Sequence, residues 1–165
     1  MTALLYKPDP ALDLSFERIV DVAPELIWKA WTTPKLILKW FTPAPWKTVD
    51  CEIDLRPGGI FRTTMLSPDG KEYPNTGCYL EVVENERLVW TDALEPGFRP
   101  TRRTTGTGIF SFTAVVSLAR HARGTRYTAL AMHRSAADRK VHFDMGFEEG
   151  WGKALDQLLE VVRAS

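Results

Sequence analysis

The sequence predicts an α+β fold, and three observations predict it. Segments of alternating apolar and polar residues fill the middle of the chain, separated by turns rich in Gly, Pro and Asp. Helical spacing of apolar residues is confined to two short stretches near the start and one long stretch at the end. The 165 residues, 44% hydrophobic and 25% charged, suit one domain around one core. The expected order is one strand, two short helices, six more strands and a long C-terminal helix. Residues 1–12, with Pro8 and Pro10 and no periodic pattern, are expected to be a loose arm, and 13–165 a single domain.

The elements follow in order. From Leu14 to Val22, Leu14, Phe16, Val20 and Val22 share one strand face, although Arg18 and Ile19 blur the two faces. Pro24 suits the first turn of a helix, where its missing N–H would have had no partner, and Ile27, Trp28 and Trp31 form its stripe. Thr33-Pro34 ends that helix and starts another, with Thr33 as N-cap and Leu36, Ile37, Trp40 and Phe41 as the apolar side. Pro43 and Pro45 stop it. Strands are expected over 47–55, 60–66, 77–84, 88–92, 109–118 and 125–133. Pro57-Gly58-Gly59 and Ser67-Pro68-Asp69-Gly70 are turns between them. Residues 93–107 read as a long loop. In the last segment Ser135, with Asp138 three residues on, resembles a capping box. Phe143, Phe147, Trp151, Leu155, Leu158, Leu159 and Val162 recur at helical spacing, and Glu149 and Lys153 form an i,i+4 pair. Gly146, Gly150 and Gly152 each cost a helix about 1 kcal/mol against Ala, so they mark a kink, a late start or a close approach to the sheet.

Composition excludes several functions. Twenty-one basic residues balance 21 acidic ones, so no global field draws in nucleic acid or an anionic bilayer. No apolar run approaches the length of a membrane span, and the first residues lack the pattern of a secretion signal. Two cysteines, Cys51 and Cys78, make no disulfide framework, which suits the reducing cytoplasm. His121, His133 and His142 have no metal-ligand spacing, and there is no nucleophile elbow or phosphate loop, so neither metal nor cofactor is expected.

Ordered motifs narrow the fold. Ala23-Pro24-Glu25-Leu26-Ile27-Trp28-Lys29-Ala30-Trp31-Thr32, followed by Pro34 and Trp40, is similar to the opening of the family named for the activator of the heat-shock protein 90 ATPase. Asp54-Leu55-Arg56-Pro57-Gly58-Gly59-Ile60-Phe61-Arg62, Pro68-Asp69-Gly70 and Gly77-Cys78-Tyr79-Leu80-Glu81 continue the resemblance. So do Asn85-Glu86-Arg87-Leu88-Val89-Trp90-Thr91, Gly124-Thr125-Arg126 and Gly150-Trp151. The resemblance spans nearly the whole chain. It implies the START-like, birch-pollen-allergen-type helix-grip fold: a curved antiparallel sheet of about seven strands around the long C-terminal helix, with a cavity between them. Carriers, receptors and cyclases share that fold, so the resemblance by itself implies no single activity.

The chain holds 6 Trp, 8 Phe and 4 Tyr. Most large rings belong in a core, but a curved sheet facing one helix leaves space that side chains alone do not easily fill. Phe61, Met65, Tyr79, Phe110, Phe112, Phe143, Phe147 and Trp151 are the candidate liners of that space. Which strand faces look inward is left open by the pattern. His133, at the end of the last strand, and Glu81, alternating with Gly77 and Tyr79, are the candidate acid–base groups. Arg56 and Arg62 would either pin a ligand carboxylate or pair with Asp54 and Glu52.

The function this reading favours is non-enzymatic binding of a small hydrophobic or aromatic molecule, with a stress-response or chaperone-associated role implied by the resemblance. The alternatives are a cyclase- or hydrolase-type enzyme using the same cavity, and a protein-interaction module of co-chaperone type. A homodimer is compatible with the pattern, which defines no interface.

Overall fold

In the computed structural model, residues 6–102 and 110–164 are described. Strand β1 (Asp13–Val20) is followed by helices α1 (Pro24–Thr32) and α2 (Pro34–Trp40). Strands β2 (Lys47–Ile53), β3 (Ile60–Leu66), β4 (Glu72–Val83) and β5 (Arg87–Thr91) come next. A short ribbon, β6 (Leu94–Glu95) and β7 (Arg99–Pro100), precedes β8 (Phe112–His121) and β9 (Gly124–His133). Helices α3 (Ala136–Asp144) and α4 (Phe147–Arg163) complete the fold.

The main sheet has seven strands in the order β1-β9-β8-β5-β4-β3-β2, with every neighbouring pair antiparallel. β1 and β2 are its two edges, so α1 and α2 carry the chain across its whole width. α4 packs against both of these helices and against β1. This is the helix-grip arrangement. Its core holds Ile27, Trp31, Leu88, Tyr127, Leu155 and Leu158, each at most 2% exposed.

The central strands are apolar on both faces. Leu88-Val89-Trp90, Ala114-Val115-Val116 and Ala129-Leu130-Ala131 are buried without interruption. Strands covered on both sides read as continuous apolar runs rather than alternations. Their middle residues, Val89, Val115 and Leu130, form a second cluster on the convex face with Leu80, Met132 and Tyr6. The Tyr6 hydroxyl donates to Glu81 at 3.2 Å, and His133 N donates to Leu12 O at 3.2 Å. Within the expected loose arm, Tyr6 and Leu12 therefore touch the sheet, while residues 7–11 between them are exposed.

Local details correct other expectations. The strand expected from Gly77 begins at Glu72. Its first half has only β3 beside it, because β5 pairs with residues 78–83, and there Pro74 is tolerated. Residues 94–95 and 99–100 pair across a turn inside the expected loop, of which 103–107 lie outside the described residues. Thr33 stands at the N-cap of α2, but its hydroxyl makes no capping bond. Ser135 does cap α3, accepting from Asp138 N at 3.2 Å. Lys153 Nζ donates to Ala44 O at 2.6 Å instead of pairing with Glu149. Among the glycines of the C-terminal segment, Gly146 has φ +88, a left-handed conformation, and divides it into α3 and α4. Gly152 lies where a Cβ would be 3.1 Å from Arg18 Nη2.

Candidate ligand cavity

A cavity of about 390 Å³ lies between the concave face of the sheet and α4. Rings form most of its wall: Trp31 from α1, Phe61 from β3, Trp90 from β5, Phe112 from β8, and Phe147 and Trp151 from α4. They brace one another. Trp31 is 5.2 Å from Trp90 and 6.1 Å from Trp151 between ring centroids, and Phe61 meets Trp90 edge-on at 5.2 Å and 89°. Three glycines border it: Gly77 of β4, Gly146 at the start of α4 and Gly150 within α4. A Cβ added at Gly150 would meet nothing within 4 Å. Met145, 70% exposed, and Thr76 stand at the rim.

Polar groups are few. Asp92, at the end of β5, borders the space, and its Oδ1 accepts from Phe112 N at 3.0 Å. Tyr127 accepts from Trp31 Nε1 at 3.1 Å, and burial raises its pKa. His142 on α3 borders the cavity among Phe110 and Phe112, each 4.7 Å away, and Phe147 at 5.2 Å. Its Nδ1 is 2.8 Å from Nε2 of His133, whose own Nδ1 is 2.8 Å from Leu12 O. Burial, and secondarily the neighbouring His133 ring, pulls the His142 pKa down from 6.5 to about 4.

Of the candidate liners, Phe61, Met65, Phe112, Phe147 and Trp151 stand on the wall. Tyr79 is one layer behind, stacked on Phe61 at 5.3 Å and 16°. Its buried hydroxyl has no hydrogen-bond partner among the described residues, and burial raises its pKa. Phe110 packs behind Phe112, 5.9 Å from His133. Phe143 points away and is 56% exposed, because the break at Gly146 resets the helical phase between it and Phe147. His133, 6% exposed, sits behind His142 rather than at the cavity. Glu81 lies on the convex side. A bulge between Tyr79 and Glu81 interrupts the alternation, so Glu81 meets Arg87 and Tyr6 there.

Arg56 pairs with Asp54 at 2.8 Å. Arg62 pairs with Asp50 at 2.5 Å and Glu52 at 3.2 Å. Cys51 is half-buried, and burial followed by the Asp50 charge pushes its thiol up to about 11. Among the described residues no cluster of His, Cys, Asp and Glu is placed to hold a metal ion. Trp31, Trp90, Gly150 and His142 are wall residues that the sequence reading did not select. For His142 a signal existed: a capped helix beginning directly after the strand that ends at His133 turns back over that strand end within a few turns.

The family described as activator of Hsp90 ATPase homolog 1-like protein matches residues 21–163. Among solved structures, the crystal structure of a protein from Nitrosomonas europaea is 45% identical and covers 95% of this chain and 97% of that one, with a TM-score of 0.88. A protein from Rhodobacter sphaeroides is similar at 21% identity over 96% of this chain and 97% of that one, TM-score 0.80. The solution structure of an AHSA1-like protein from Aeromonas hydrophila matches at 22% identity over 93% of each chain, TM-score 0.65. The last two speak to the fold alone. No curated protein matches the chain.

Proposed function

This chain belongs to the activator of Hsp90 ATPase homolog 1-like family, and on that premise we propose that it binds a small hydrophobic or aromatic molecule, without turnover, in the cavity between sheet and C-terminal helix. The observation that carries the reading is the ring-lined space of about 390 Å³, a size and character suited to one small guest. Gly150 supports it: a helix that accepts an entropic penalty of about 1 kcal/mol at that position gains open volume there.

The family description also supports a chaperone-associated setting for such binding. We place the protein in the cytoplasm, a reading in keeping with two unpaired cysteines. Among the described residues, no helix is long and apolar enough to cross a membrane.

Native mass spectrometry and thermal shift against lipids, flavonoids and polyketides test the proposal. A true guest at a hundredfold excess over its Kd stabilises the fold by about 2.7 kcal/mol. For a chain of this size that raises Tm by roughly 5–10 °C. Absence of any adduct or shift across the panel would sink the reading.

A further inference from the structure

We infer that the guest carries a neutral hydroxyl, an alcohol or a phenol, whose O–H donates to Nε2 of His142, and that His133 is the positioning residue that keeps this nitrogen an acceptor. The inference rests on the cavity reading above and adds the chemistry of the ligand.

Leu12 O only accepts, so His133 Nδ1, 2.8 Å away, carries a hydrogen. In a neutral ring the opposite nitrogen, Nε2, is then bare. His142 Nδ1 lies 2.8 Å from that bare nitrogen, so the hydrogen between them belongs to His142. His142 Nε2 is therefore bare in turn. No hydrogen bond from a described residue reaches it, and the rings of Phe110, Phe112 and Phe147 around it have no strong donor to offer.

The His133 ring is buried beside Phe110 and Phe112, and among the described residues no carboxylate pairs with it. The charges of α3 are engaged elsewhere: Lys140 with Asp144 at 2.6 Å, Asp138 with Arg134 at 3.7 Å, and Arg139 with Asp13 O at 2.9 Å.

A bare nitrogen among these rings selects among ligands. A carboxylate or ketone oxygen would face it with lone pairs against a lone pair. A hydrocarbon would leave it desolvated and unpaired, which is costly. An O–H satisfies it.

Two measurements on the full chain test this. Long-range nitrogen–proton NMR of the free protein near neutral pH reads the tautomers, and both histidines are expected in the Nδ1–H form. Calorimetry then compares 1-naphthol with naphthalene. Naphthol is expected to bind about tenfold more tightly. His142→Phe should bring naphthol to the affinity of naphthalene and leave naphthalene within about twofold of wild type. His133→Asn keeps a donor for Leu12 O but no acceptor for His142, and should weaken naphthol alone. His133→Gln, which can present an oxygen near the former Nε2, should recover part of the loss.

An Nε2–H tautomer at His142 overturns the inference without recourse to any variant. So does equal binding of the two probes, or a naphthol preference that survives His142→Phe; in both cases the cavity reading stands. Binding of neither probe removes that reading and this inference together.

Discussion

The two halves of α4 face the same sheet and meet it differently. Leu155, Leu158 and Leu159 in the second half are 1%, 0% and 6% exposed and belong to the closed core with Ile27 and Leu88. Phe147, Gly150, Trp151 and Ala154 in the first half border the cavity. Both halves are apolar, so hydrophobicity does not separate them. Shape does. Branched aliphatic side chains interdigitate to the density of an organic crystal. Flat rings brace one another as a stiff frame, Phe147 tilted at 45° to Trp151 and Phe61 edge-on to Trp90, and Gly150 leaves the gap unfilled. A greasy face is thus a condition for a core, and the choice between leucines and rings decides whether it is solid.

The comparison can be broken in several places. Leu158→Ala in the solid half carries the largest effect, a loss of about 2–5 kcal/mol in denaturant unfolding. A loss below about 1 kcal/mol would mean that this half is not close-packed. In the hollow half, Gly150→Met should occupy the cavity. Its unfolding midpoint is expected to stay near wild type while guest affinity falls at least about tenfold. Unchanged affinity would place the guest elsewhere.

Acid should separate the halves next. The His142 pKa is lower in the folded chain than its ordinary 6.5, so between about 4 and 6.5 the unfolded chain binds more protons. The stability His142 contributes is complete above pH 6.5 and is lost as pH falls toward about 4. Urea midpoints of the wild type should therefore fall more steeply over this window than those of His142→Phe. Parallel falls would show that the ring does not resist protonation. The smallest effect belongs to Gly150→Ala, which meets no atom and should stabilise the helix by about 0.5–1 kcal/mol.

Much of this architecture was legible in the residues. Pro24 and Pro34 placed two helix starts, and apolar runs and turn residues placed all seven main strands. Five of the eight candidate liners stand on its wall. What escaped the reading depended on single backbone events. One bulge after Tyr79 turned Glu81 to the convex side, and another between Thr48 and Asp50 left Val49 exposed although it alternates with Cys51. The left-handed residue at 146 rotated Phe143 out of a stripe that looks continuous in the sequence. In the central strands alternation vanishes, and Val89, Val115 and Leu130 pack with Tyr6 on the convex face. His142 escaped because its role depends on a partner nine residues earlier on another element, a relation without a period.

The anchoring of Tyr6 has a practical outcome for anyone handling the molecule. Its ring packs with Val89, Val115 and Leu130, and Arg87 lies 5.7 Å from the ring centre. Trimming the polypeptide past Pro10 would strip that patch bare and turn a sealed back into an adhesive one. Light scattering should then report clumping of the shortened protein at concentrations where the intact one stays dispersed.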